Sequence, residues 1–156
     1  MTKYCLDTGV LVNGWQKHYQ PIFAPKFWTF LSDMLTSGRA IVPREVYEEI
    51  EQQDDSLLAW IRQRREFVRE TTEDVVLALK AIMQDTYYGR IVKLKGTGRS
   101  GADPWLIAHA QIWGATVVCE EGSGGKNDPK IPDVCLGLGV GCISTRDMLV
   151  AEQFSF

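Results

Sequence analysis

Apolar residues occur along this chain either in short unbroken runs or at every third or fourth position. Tyr4-Cys5-Leu6 runs apolar, breaks at Asp7-Thr8-Gly9 and resumes at Val10-Leu11-Val12. The pattern predicts a buried strand ending in a carboxylate, while Asp7 or Thr8 could equally cap a helical turn over residues 9–15. Phe27, Phe30, Leu31 and Met34 then share one face of a helix that begins at Lys26 and is closed by Gly38. Residues 39–43 predict a second strand, and Pro43 suits the first turn of a helix carrying Val46, Tyr47 and Ile50 among Glu45, Glu48, Glu49 and Glu51. A third helix is predicted over residues 56–68, capped by Asp54 or Asp55. It turns Leu57, Leu58, Trp60, Ile61 and Phe67 inward and sets Arg62, Arg64, Arg65 and Arg69 on a solvated face.

Thr71 or Thr72 caps a fourth helix, to about Gln84, and residues 85–89 break it. Asp103 and Pro104 open an amphipathic helix that ends at Gly114. Residues 115–119 make a strand, residues 120–128 a glycine-rich mobile run, and Ile131 starts a short helix. A last strand over 140–144 and a closing helix over 145–152 complete the chain. Helices alternating with about four to five short apolar strands predict a single α/β domain, a central parallel sheet flanked by helices.

Composition changes this picture little. The 156 residues suffice for a real core, and 45% hydrophobic with 24% charged residues is ordinary for a soluble protein. No leader pattern or membrane-length apolar run is seen, so a cytoplasmic location is expected. Cys5, Cys119, Cys135 and Cys142 lie among aliphatic residues without zinc spacing, which predicts buried reduced thiols. The net charge of −3 means that any nucleic-acid site must be a local basic patch or a metal centre.

Gly96-Thr-Gly98-Arg-Ser-Gly101 matches a dinucleotide fingerprint after the strand-like residues 91–95. Asp103 would then stand where a pyrophosphate must bind, and too little chain follows for the second half of such a sheet. A basic loop is the better account. Lys93, Lys95, Arg99, Lys126 and Lys130, with Arg62 and Arg64, are the candidates for phosphate contacts.

Acids fall at corresponding places: Asp7 after the first strand, Glu49 (rivals Glu45 and Glu48) after the second, Asp103 at a helix start, and Glu121 (rival Glu120) after residues 115–119. In a parallel sheet these places share one edge. Carboxylates forced together repel unless a cation neutralises them, and a set of hard oxygen donors favours Mg²⁺ or Mn²⁺. The reaction class that follows is metal-assisted phosphodiester hydrolysis. Asp7 as a phosphatase nucleophile is disfavoured, because Gly9 stands where a second Asp is wanted. His109, amid apolar neighbours, is expected in a packing role.

The order Leu6-Asp7-Thr8-Gly9-Val10-Leu11, residues 41–50 around Glu49, residues 102–110 around Asp103, and Val117-Val118-Cys119-Glu120-Glu121 resembles the PIN-domain nucleases. Lys26-Phe27-Trp28 and residues 130–135 resemble, more narrowly, the PIN-like, DUF4411-type branch related to toxin ribonucleases of toxin–antitoxin pairs. The resemblance implies an endoribonuclease dependent on Mg²⁺ or Mn²⁺, a protein antitoxin as partner, and a homodimer. It carries metal ligation onto Asp7, Glu49 and Asp103, with Glu121 in the fourth acidic place and Asp133 as a supplement. Gly9 stands where the family usually has Asn or Ser, and Cys119 where it has Thr or Ser. A non-catalytic module binding RNA or protein on the same fold is the alternative.

Overall fold

The structure, a computed structural model, describes residues 1–53, 55–91 and 101–156. Five short strands, β1 (Tyr4–Leu6), β2 (Ala40–Pro43), β3 (Val68–Arg69), β4 (Thr116–Val118) and β5 (Cys142–Ile143), form one parallel sheet in the order β3-β2-β1-β4-β5. Tyr4, Cys5 and Leu6 are at most 2% exposed, because a central parallel strand is covered on both faces and must be apolar on both. Cys5 lies between Ile41 and Val117 in register.

The helices are α1 (Thr8–Asn13), α2 (Pro25–Thr36), α3 (Arg44–Glu51), α4 (Asp55–Arg62), α5 (Glu73–Gln84), α6 (Asp103–Trp113), α7 (Ile131–Leu138) and α8 (Thr145–Ala151). A π-helical turn, Gly14–His18, continues α1. Gly114 ends α6 where the sequence predicts, with φ of 63° in the left-handed conformation that glycine adopts without steric cost. Thr72 caps α5 by accepting from the Val75 amide.

The chain steps outward from β1 to β2 and β3, then returns to lay β4 on the other side of β1. The strand order therefore reverses between β1 and β4. A crevice at that switch, outside the carboxyl ends of the strands, is where open α/β sheets accept ligands.

The third helix differs from its predicted span. It stops at Arg62, and a 3₁₀ turn (Arg65–Phe67) leads into β3. Arg64 turns back to donate to the Trp60 carbonyl and lies over the Trp60 ring, while Val68 pairs with Val42 and is buried. A two-residue strand carries no periodicity of its own, so helical spacing read straight across it. Asp103 is the first residue of α6, with Ala102 rather than Asp103 at the cap. The proposed Asp54 cap, the strand over residues 92–95 and the fingerprint residues 96–100 lie outside the described residues.

At the opposite edge of the sheet, Arg39 grips Glu152 through two bonds of 2.6 and 2.9 Å, and the Tyr4 hydroxyl donates to the same carboxylate at 2.7 Å. All four cysteines are free. Among the described residues no helix is long and apolar enough to cross a membrane.

Candidate active site

Asp7 follows β1 directly and is only 8% exposed. Burial and the charges of Glu121 and Glu49 push its carboxyl up to about 7, against the pull of the Thr8 and Gly9 amides. Asp103, half-buried at the start of α6, is pushed up to about 8 by burial and by Asp7, Glu121 and Glu49, with Lys130 opposing. Four carboxylates from separate segments thus feel one another at the switch point.

Each has a reason to be there. Glu49 occupies the last half of α3, beside the stripe Val46, Tyr47 and Ile50 that seats the helix on the core. The Thr8 hydroxyl donates to Glu49 Oε1 at 2.7 Å and ties α1 to α3 across the crevice. A side chain at Gly101 would come within 3.4 Å of Glu49 Oε2, so glycine leaves that oxygen room. Glu121 Oε2 accepts from the Ile131 amide, which holds it at the foot of α7.

The rival acids point elsewhere. Glu48 pairs with Arg44 at 2.8 Å. Glu45 faces His109, and Glu120 accepts from the Thr145 amide at 3.0 Å. Asp133 Oδ2 accepts from the amides of Gly124 and Lys130, closing the loop back onto the start of α7, and Asp133 is not among the acids acting on Asp7 or Asp103.

Among the described residues none of the four acids has an ion pair. Their donors are all carboxylate oxygens, a set suited to a hard divalent cation. No three His, Cys, Asp or Glu side chains among the described residues are closed around an ion position. The acids form a negatively charged cluster, the cup, whose mutual repulsion a cation would relieve.

A family model for a domain of unknown function (DUF4411) matches residues 4–156. The chain belongs to that family. No curated protein matches it. The DUF4411 match spans every acid of the cup.

Around the cup of this DUF4411 chain lie further residues, His109 among them in the core role expected of it. His109 is fully buried and its Nδ1 accepts from the Trp113 indole at 3.2 Å, so Nε2 carries the proton and donates to Glu45 Oε1 at 2.9 Å. Burial raises the Glu45 carboxyl, but the bonds from His109 and Thr71 outweigh it and hold the carboxyl below its usual range. This network ties α3 to α6, the two helices that carry Glu49 and Asp103.

At Gly9 a side chain would meet Asp7 Oδ2 at 3.3 Å and Asn13 Nδ2 at 3.8 Å, so glycine leaves both groups room. The Cys119 thiol lies 3.5 Å from the Cys142 sulfur. Lys130 flanks the acids with its Nζ 3.6 Å from Asp128, and Lys126 is exposed. Arg64 bonds Ser32 and the Trp60 carbonyl, while Arg62 is exposed. Lys93, Lys95 and Arg99 lie outside the described residues.

Proposed function

We propose that this DUF4411 protein is a metal-dependent endoribonuclease with a PIN-like fold, in which Asp7, Glu49, Asp103 and Glu121 hold Mg²⁺ or Mn²⁺. The observation that carries the reading is the pair of raised carboxyls, Asp7 and Asp103, which face two further acids with no ion-paired cation among the described residues. Carboxylates assembled at such a disadvantage in a ligand crevice are a functional signature rather than a stabilising one. When bound, the ion supplies an activated water and screens the charge that builds on a phosphodiester during displacement.

The chain's own residues prepare for that. Thr8 fixes one oxygen of Glu49, and the Ile131 amide fixes one oxygen of Glu121, leaving each the other oxygen. Asp7 and Asp103 hold protons more tightly than ordinary carboxyls and release them as a cation is taken up. Lys130, with Lys126 further out, offers positive charge beside the cup to a phosphate backbone.

RNA as substrate, a protein antitoxin as restraint and a homodimer rest on the PIN-like resemblance together with this acidic site. The test is incubation with Mn²⁺ or Mg²⁺ and a pool of transfer, ribosomal and synthetic RNAs, beside Asp7→Asn and Asp103→Asn. Cleavage that a chelator and both substitutions abolish is the expected result. No cleavage together with no Mn²⁺ binding would select the non-catalytic binding module.

A further inference from the structure

Glu120 and Glu121 are adjacent, and both line a cleft with Pro132, Cys142 and Asp147. Glu121 also acts on Asp7, whereas Glu120 also lines a second cleft of about 380 Å³ with Val10, Asn13, His18, Tyr19 and Arg146. The cleft adjoins the cup, because Asn13 stands within reach of the same Gly9 position that abuts Asp7 Oδ2. It also lies against the π-helical turn Gly14–His18, an uncommon geometry often found at functional sites.

Its chemistry is uncommitted. Among the described residues the side chains of Asn13, His18 and Arg146 make no hydrogen bond or ion pair, and Arg146 and His18 are exposed. Glu120 spends Oε1 on the Thr145 amide and has Oε2 to offer. The Tyr19 ring is stacked on Phe27 at 4.3 Å and on Phe156 at 5.8 Å, so the chain's own rings already engage it. What remains is one guanidinium, one imidazole, a carboxylate oxygen and an amide. Guanidinium matches a phosphate, and a carboxylate oxygen matches a hydroxyl donor.

We infer that this cleft is a ribose-phosphate subsite for single-stranded RNA, in which Arg146 binds a backbone phosphate and Glu120, with Asn13, accepts and orients a ribose 2′-hydroxyl. Deoxyribose lacks that hydroxyl, so Glu120 distinguishes RNA from DNA. This inference rests on the ribonuclease reading above and specifies how its substrate is chosen.

The test is fluorescence anisotropy in EDTA with a labelled ten-nucleotide RNA and the DNA of the same sequence, followed by cleavage kinetics in Mn²⁺. Arg146→Ala is expected to weaken both ligands about tenfold. Glu120→Gln keeps the oxygen that caps Thr145 and replaces the other with an amide. It is expected to weaken RNA by up to about tenfold and leave DNA unchanged. Unchanged melting temperatures separate these effects from misfolding. Variants that bind both ligands like the wild type, or a Glu120→Gln that weakens DNA as much as RNA, overturn the subsite. RNA cut in Mn²⁺ with KM unaltered by both substitutions also overturns it, and leaves the nuclease reading standing. RNA bound through the cleft but cut with no divalent ion overturns the nuclease reading and keeps the subsite. No binding and no cleavage overturn both.

Discussion

The two edges of the sheet treat their charges in opposite ways. At the amino edge, Glu152 receives Arg39 and the Tyr4 hydroxyl, and these bonds hold its carboxyl below the usual range. At the carboxyl edge, Asp7 and Asp103 are pushed up to about 7 and about 8 because their neighbours are further acids. One edge is balanced and structural, and the other is left in conflict. On the proposed reading a divalent cation would complete this acidic edge. The pair Glu45 and Glu49 repeats the contrast on one helix, since Glu45 is satisfied by His109 and Thr71 whereas, among the described residues, Glu49 has Thr8 alone.

The largest effect is expected from breaking the cup. Asp7→Asn or Asp103→Asn should lower cleavage roughly a thousandfold, the several kcal/mol of charge stabilisation that a bound cation supplies. In EDTA the same substitutions should raise the melting temperature at pH 8, because each removes a repelled charge.

A second effect sharpens the contrast through pH. Asp7 and Asp103 have folded-state values above their ordinary 3.8, so the folded chain binds more protons than the unfolded one between about pH 4 and 8. Their contribution to stability is complete below that window and is lost as pH rises through it. Glu152 has the opposite sign: its value is lowered from 4.5, so its contribution is present above that pH and is lost as pH falls. Urea denaturation of the metal-free protein should therefore show stability falling from pH 5 to 8, and Asp7→Asn should flatten that slope.

Smaller losses are expected where charges are satisfied. Glu45→Ala leaves the buried His109 Nε2–H unpartnered and should cost about 1–3 kcal/mol in denaturant melts, with the structural role assigned to it. Arg39→Ala should cost about 1 kcal/mol, since the pair lies near the surface at 19% and 14% exposure and water screens it.

Much of the architecture was legible because strong local signals agreed with it. Unbroken apolar runs gave the central strands, and Gly114 and Thr72 marked the helix ends they occupy. The edge strand Val68–Arg69 was not legible, because two residues pair only once β2 is in place beside them. The placing of acids after strands brought Asp7, Glu49, Asp103 and Glu121 forward, but spacing alone could not separate Glu121 from Glu120. Their partners do, the Ile131 amide for one and the Thr145 amide for the other. Asp133, a supplementary ligand only by resemblance, follows Pro132 as a helix-start residue does, and its Oδ2 is taken by the Gly124 and Lys130 amides. The Glu45–His109 bond spans 64 residues and has no local signature.

The most direct measurement is calorimetric titration of Mn²⁺ into the wild-type protein, Asp7→Asn, Asp103→Asn and the control Asp147→Asn, all at pH 7.5. Saturable binding by the wild type and the control, with proton release and a loss of about tenfold or more in affinity for each cup variant, is the expected result. Equal Mn²⁺ binding by all four proteins, or none by the wild type, would contradict the carboxyl edge as a metal centre.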